Sequence, residues 1–216
     1  MSNFLQTSID HLVFGSYNLS DGATFINEHL GIIPEAGGQH VTMGTHNKLL
    51  NLGHSVYLEV ISINPDLPKP NHPRWFGMDK LHPNNKPQFI TWVIRTNDIE
   101  KAVKKSPFQH GEIKTLQRGN YKWQITLPAD GSMPLQGLAP TIIQWHGNLH
   151  PIQNLSTPEI SLLNIEVFHP EADILNDYLF SIGLHGAFNA ITLNAEENPF
   201  LRVTLKSPKG IVVFET

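Results

Sequence analysis

The feature that most constrains this chain is a recurring order of elements. Three times, at a spacing of roughly fifty to sixty residues, a short apolar strand is followed by an amphipathic helix and then by three more short strands. The pattern repeats although the residues do not. Sixteen prolines and sixteen glycines are scattered along the 216 residues, which suits many short elements and argues against a helical bundle.

In the first unit, Ile9-Asp10-His11-Leu12-Val13-Phe14 reads as a buried strand carrying one histidine and ending at Gly15-Ser16. A helix follows, capped by Ser20 or Asp21, with Ala23, Ile26 and Leu30 as its apolar stripe and Gly31 as its stop. Gly37-Gly38 turn the chain into a strand at residues 40–43. Residues 44–61 then form two strands joined at Gly53-His54-Ser55. Alternation in the second of these puts Tyr57, Glu59 and Ile61 on one face and Val56, Leu58 and Val60 on the other. Glu59 is therefore a carboxylate within an apolar strand. Burying it unpaired is costly, so it must meet water in a cleft, a cation, a metal or a hydrogen-bonding ligand.

Between residues 64 and 88 lie six prolines around Arg74-Trp75-Phe76-Gly77-Met78, read as a long loop that packs down through its aromatic pair. The second unit opens with a strand at residues 89–94. A short helix follows, capped by Asn97 or Asp98 with Ile99, Ala102 and Val103 inward. A hairpin turns at Arg118-Gly119-Asn120, and a strand at residues 141–145 closes the unit. The third has a strand at residues 163–168 and a helix opened by Pro170 with Ile174, Leu175, Tyr178, Leu179 and Ile182 on one side. Strands at 191–193, 201–205 and 211–214 complete it. The divisions are 1–64, 65–87 for the loop, 88–150 and 151–216, expected to form one compact domain.

A hydrophobic content of 40% allows a sizeable core. The net charge of −4 and the absence of any Lys/Arg block exclude an electrostatic pull towards nucleic acid or acidic membranes. No run is long enough for a membrane helix, and the first residues lack the pattern of a signal peptide, so the cytoplasm is the expected compartment. With no cysteine, any metal must sit on histidine, carboxylate or other oxygen ligands. Most of the twelve histidines, among them His72, His82, His150 and His169, precede turns or prolines and read as solvated loop residues.

The first unit, with His11 in its first strand and Glu59 in its last, resembles the vicinal-oxygen-chelate superfamily of glyoxalase I, extradiol dioxygenases, methylmalonyl-CoA epimerase and the fosfomycin and bleomycin resistance proteins. In particular it looks like the glyoxalase-like group. The likeness is carried by Ile9-Asp10-His11-Leu12-Val13, Gly38-Gln39-His40, the run from Gly44-Thr45-His46-Asn47 to Gly53, and Tyr57-Leu58-Glu59. Trp75-Phe76-Gly77, Thr91-Trp92-Val93-Ile94-Arg95-Thr96 and Ile143-Gln144-Trp145 ahead of His150-Pro151 add to it. The resemblance implies an α+β fold in which repeated βαβββ units curl a mixed sheet into a half-open cup with helices outside.

It also implies a divalent metal (Zn, Fe, Mn, Ni or Mg) at the floor of the cup, held by the first and last strands of each unit. Carried over, the ligands are His11 and Glu59, with Thr91 and Gln144 at the corresponding positions of the second unit. Thr91 is a poor ligand and Gln144 only a neutral carbonyl, so the pattern lacks one strong donor; His146, two residues on, is the candidate to complete it. His11 and Glu59 are the expected catalytic pair; the alternative is a structural pair in which the acid orients the imidazole. His46, Asn47, Arg74, Trp75, Thr91 and Trp92 are candidates to contact substrate. For Arg74 the alternative is stacking on an aromatic surface. His40 and His46 flank a Gly-rich turn and read first as turn residues, His46 being the better candidate of the two for the mouth of the cleft. Trp92, Trp123 and Trp145 read as core or cup lining, and Glu166 and Glu215 as edge or exposed carboxylates.

Two functions follow. One is a metal-dependent isomerase, lyase, epimerase or dioxygenase acting on a small oxygen-bearing substrate. The other is a metal-free protein that binds or sequesters a small molecule, as resistance proteins do. A purely structural or regulatory protein is the third reading and needs no cleft. The expected partner is a small molecule rather than nucleic acid or membrane. An unmatched third half-cup would imply a homodimer.

Overall fold

A computed structural model describes residues 4–157, 159–194 and 196–216. The first unit runs β1 (Thr7–Gly15), α1 (Leu19–Leu30), β2 (Glu35–His40), β3 (Thr45–Asn51) and β4 (Tyr57–Ile63). The second runs β5 (Gln88–Thr96), α2 (Ile99–Lys105), β6 (Glu112–Arg118), β7 (Tyr121–Leu127) and β8 (Thr141–Trp145). The third comprises β9 (Ser161–His169), α3 (Ala172–Ser181), β10 (Phe188–Thr192), β11 (Phe200–Ser207) and β12 (Gly210–Glu215).

The first two units share one curled eight-stranded sheet of order β2-β3-β4-β1-β5-β8-β7-β6. In both, the first strand lies parallel to the last, and β1 and β5 join the halves antiparallel at the centre. The third unit repeats the element order but not the pairing. Its first strand, β9, sits between β10 and β11 in a separate four-stranded sheet of order β10-β9-β11-β12. It is not a third half-cup, so the premise for an unmatched cup edge falls away.

Alternation sorts the apolar residues into two clusters. Leu12, Phe14, Leu58, Val60, Trp92 and Ile142 point to the convex side, where they meet Ile26 and Leu30 of α1, Ile99 and Ala102 of α2, and the third unit through Ile165, Val167 and Leu179. Trp92 shows how the units lock together: it is fully buried, stacks on Phe188 and donates to the carbonyl of Leu138 at 2.9 Å. Val13, Ile61, Val93, Trp123 and Ile143 point the other way and line the concave side with Trp75, Phe76 and Met78. Each large apolar side chain withdrawn from water contributes about 1.5–3 kcal/mol. The larger convex cluster thus holds the fold, which leaves the concave face free to carry polar groups.

Several local expectations shift. The α1 cap is Asn18, whose side chain accepts from the Ser20 amide at 2.8 Å, so the helix begins ahead of Ser20 and Asp21. Gly37 and Gly38 do not turn the chain into a strand at residues 40–43: they lie within β2 at an irregularity of its pairing with β3, and residues 41–43 are a single 3-10 turn. In α3 Ile174 is solvent-exposed while Leu175, Tyr178 and Leu179 are buried. The β3–β4 turn falls where expected, with His54 and Ser55 in the left-handed region. The proline-rich loop packs down as read, with Trp75, Phe76 and Met78 buried.

Candidate functional site

The concave side holds a small, partly open cavity with about 30 Å³ of free space and His11, Asn47, Tyr57 and Glu59 on its floor. Trp75 and Phe76 from the proline-rich loop, stacked at 5.1 Å, and the Trp123–Trp145 pair form its aromatic walls. This free space holds only a water molecule or two and is far below the roughly 300–1,000 Å³ common for small-molecule sites, so a larger ligand must part the walls or sit at the opening.

The floor depends on a break in the pleat of β1. Ile9 faces Ile94 across the β1–β5 pairing and His11 faces Val93, so Asp10 is one residue too many and the strand bulges there. The bulge turns His11 and Val13 into the cup while Ile9, Leu12 and Phe14 join the convex core. It also lets two consecutive side chains meet, since His11 Nδ1 lies 2.6 Å from Asp10 Oδ1.

Asp10 is fully buried and is the hub of four donors. Besides His11, it accepts from Trp145 Nε1 at 2.9 Å and His150 Nε2 at 3.0 Å, and Arg95 Nη1 stands 3.6 Å away. Burial pushes its pKa up, but the hydrogen bonds from His11 and His150 win, holding it well below the usual carboxylate range. An ionised Asp10 only accepts, so His11 carries its proton on Nδ1 and presents Nε2 to the cavity. Tyr57, stacked on the imidazole at 4.6 Å, fixes its plane. Burial, and then the charges of Asp10 and Glu59, raise the Tyr57 phenol well above its ordinary value.

Glu59 is also buried, but fewer groups meet it. Asn47 Nδ2 donates to Oε1 at 2.5 Å, His11 Nε2 lies 3.6 Å from Oε2, and His40 Nε2 lies 3.9 Å from Oε1. Asn47 is held by its own carbonyl, which accepts from the Gly38 amide at 2.7 Å and from Arg118 Nη1 at 3.4 Å. Gly37 is needed there, and Gly38 leaves little room. A Cβ on Gly37 would stand 2.1 Å from Asn47 Oδ1, and one on Gly38 would crowd the Arg118 guanidinium at 3.1 Å.

Arg118, at the end of β6, spans the gap between the two free edges of the curled sheet. Its Nη1 donates to His40 Nε2 at 3.0 Å. His40 therefore accepts on Nε2 and donates from Nδ1 to Thr45 Oγ1, 3.2 Å away, which also accepts from Trp75 Nε1 at 3.3 Å. Burial first, then the Arg118 charge, pulls the His40 pKa down to about 3, so this imidazole is neutral.

The expected site residues divide. His11, Glu59, Asn47 and Trp75 come together at the cavity. Thr91 is buried on the concave side beneath it, opposite Val13, with its hydroxyl directed to the Trp92 carbonyl at 3.4 Å. Gln144 points outward, between the inward Ile143 and Trp145, and its carbonyl accepts from the Ile99 amide at the start of α2 at 2.8 Å. His146 lies beyond the end of β8 and is exposed. His46 faces the outer side of β3 near Tyr17 and Ile63, Trp92 sits in the convex core, and Arg74 is buried against Asp79 at 2.5 Å, anchoring the loop rather than facing the cavity. Of the histidines expected in turns and loops, His40 and His150 are drawn into the site. Asp10 and Arg118 were not singled out. The signal for Asp10 was two consecutive polar residues in an apolar strand, a break in alternation that a bulge resolves. For Arg118 there was none, because its role depends on β2 and β6 meeting across the curl.

This donor set does not fit a divalent ion. Two groups converge, His11 Nε2 and Glu59 Oε2. Gln144 and His146 do not join them, and a guanidinium occupies the free nitrogen of His40. Among the described residues no three His, Asp or Glu side chains are placed to hold a metal.

The glyoxalase-like domain family matches residues 9–179. Among solved structures, a hypothetical protein from Staphylococcus aureus aligns at 16% identity over 97% of this chain and 85% of its own, with a TM-score of 0.54. Methylmalonyl-CoA epimerase from Mycobacterium tuberculosis aligns at 15% identity over 65% of this chain and 88% of its own (TM-score 0.43). A variant of 4-hydroxymandelate synthase from Streptomyces coelicolor aligns at 13% identity over 97% of this chain and 62% of its own (TM-score 0.49). No curated protein sequence matches. At 16% identity the Staphylococcus aureus structure speaks for the fold alone, whereas the family match spans most of the chain: the protein belongs to the glyoxalase-like domain family.

Proposed function

We propose that the cup binds a small oxygen-bearing molecule and moves a proton on it, with Glu59 as the base and no metal ion required. The observation that carries this reading is Glu59 itself, an acid about 5% exposed on a cavity floor, one oxygen held by Asn47 and the other turned towards His11 at 3.6 Å without a hydrogen bond. A group withdrawn from water and left partly unsatisfied is suited to take a proton from a ligand that completes its shell. Asp10 holds the imidazole with Nε2 towards Glu59, so a proton taken by the carboxylate has an acceptor beside it.

The step is a proton transfer without redox change. A C–H bond next to a carbonyl or carboxyl carbon breaks, its proton passes to Glu59 Oε2, and the electron pair moves onto the substrate oxygen. Return of the proton to the other face, or to the neighbouring carbon, gives an epimer or an isomer. The same cavity without this step is a binding protein, which the aromatic walls would also serve.

Incubation with a panel of 2-hydroxy, 2-oxo and acyl compounds in D2O, followed by proton NMR, separates these outcomes. Exchange at the carbon next to the carbonyl, unchanged after chelator treatment and lowered about 10²- to 10⁴-fold by Glu59→Gln, is the expected result. Exchange lost with chelator and restored by Mn, Ni or Zn salts would reinstate a metal enzyme. Tight binding without exchange would make the protein a sequestering one.

A further inference from the structure

We infer that Arg118 is the specificity determinant of the cup and that the ligand it selects is a small carboxylate with a planar apolar body. This deepens the reading of the cavity as a ligand site and rests on it. The chain has four arginines. Arg74 pairs with Asp79, Arg95 with Asp10, and Arg202 with Glu166 and Glu215. Arg118 has no carboxylate within salt-bridge distance among the described residues, and it is the one that lines the cavity.

Its orientation is fixed without being used up. Nη1 is committed to His40 Nε2 and the Asn47 carbonyl, and the close approach of Gly38 presses the β2 backbone against the guanidinium. Both hydrogen-bond partners are neutral, the Tyr121 ring lies 5.8 Å from the guanidinium carbon, and the Glu59 carboxylate of the cup is held by Asn47 rather than by Arg118. Nε and Nη2 have no acceptor among the described residues. A guanidinium held by one nitrogen with its other donors open is arranged to receive a carboxylate through paired, charge-assisted hydrogen bonds. The cavity lined by Trp75, Phe76, Trp123 and Trp145 has only about 30 Å³ of free space, so the planar body lies at the opening beside Arg118 rather than among these rings. Arg118 also borders an outer groove of about 470 Å³ formed by Gly37, Gly38, Tyr121, Leu149 and Pro151, which has room for that body, offers it the Tyr121 ring and brings its carboxylate to the guanidinium at the rim.

Matched acid and amide probes test this, because they share shape and differ in charge: benzoate against benzamide, and phenylacetate against phenylacetamide, titrated by calorimetry at constant ionic strength. The wild-type protein is expected to bind each acid at least about tenfold more tightly than its amide, the ratio falling to about one in Arg118→Gln and recovering in part in Arg118→Lys. Glu59→Gln is expected to keep the preference, so absence of proton exchange and absence of acid selectivity are separate failures. Because Arg118 bridges two sheet edges, circular dichroism checks each variant, and the wild-type acid-to-amide ratio decides by itself should Arg118→Gln not fold. Equal affinity for acid and amide, no binding of either by the wild-type protein, or a preference that survives Arg118→Gln in a folded variant would each overturn the inference.

Discussion

Asp10 and Glu59 lie on the neighbouring strands β1 and β4, both withdrawn from solvent, both in reach of the same imidazole, and the protein treats them differently. Asp10 is met by His11, His150, Trp145 and Arg95, drawn from the bulge, the loop after β8, β8 itself and β5. Glu59 has one close donor, Asn47, and an oxygen without a hydrogen bond. A buried charge that is fully coordinated stabilises one arrangement of the chain around it; one that is under-coordinated retains capacity for a ligand. The difference separates the part of the floor that is structure from the part available for chemistry.

The largest effect is expected from Asp10→Ala. It strips the acceptor from four donors, two of them histidines whose rings orient the floor, and removing one partner of a buried charged set costs about 3–5 kcal/mol. Denaturant unfolding of the variant against wild type measures it. A loss below about 1 kcal/mol would mean that Asp10 is no more structural than Glu59, and the contrast would collapse.

Acidification should resolve the network into two steps. His40 has its pKa pulled from 6.5 to about 3 and His110, by burial alone, to about 4, so the unfolded chain takes up these protons first. Their contribution is complete above pH 6.5 and is lost as pH falls towards 3. Asp10 is depressed from 3.8, so its contribution is present above that value and lost only below it. Stability measured against pH should therefore begin to fall near 6.5 and steepen under pH 4. Asp10→Asn should shrink the lower limb, to which Asp79 also contributes, and keep the upper one, whereas His40→Asn should flatten part of the upper limb.

These elements were unequally legible in the residues. The faces of β4 follow from alternation alone: Tyr57 and Glu59 line the cavity while Leu58 and Val60 enter the convex core. The helix stripes Ala23-Ile26-Leu30 and Ile99-Ala102 and the turns at residues 53–55 and 118–120 carry their own local chemistry. Gln144 shows where such reasoning stops. Its place next to two inward residues makes it outward, and only the exact register of β8 tells which of three consecutive side chains enters the cup. His40 and Arg118 are 78 residues apart and meet because the sheet curls its edges together, a long-range fact with no local trace. The third unit misleads for the opposite reason: element order is local, but strand pairing is not.

Gly37→Ala probes the weaker side of the contrast through its one good donor. The added methyl would stand 2.1 Å from Asn47 Oδ1 and 2.8 Å from the Asn47 carbonyl oxygen, so β2 or Asn47 must move. Overpacking of this kind costs about 1–3 kcal/mol, and the displaced Asn47 no longer holds Glu59. Denaturation and binding of the benzoate probe together read it: reduced stability with weakened binding is expected. A variant as stable as wild type would show that the irregularity in β2 yields freely and does not position the amide.

The smallest change in stability is expected at the acid assigned the chemistry. Glu59→Gln keeps the shape, keeps a carbonyl oxygen for Asn47 Nδ2, and turns an amide donor towards His11 Nε2, which presents a lone pair. It also removes a charge from a site with a single strong donor. Both changes relieve desolvation, so the unfolding free energy should move by less than about 1 kcal/mol, in the stabilising direction if at all. Proton exchange should fall in the same variant. Loss of function without loss of stability at Glu59, set against loss of stability at Asp10, is the signature of a carboxylate left short of partners because a ligand supplies them. If Glu59→Gln instead destabilised the protein as much as Asp10→Ala does, Glu59 would belong to the framework, and the cup would need another group to act as its base.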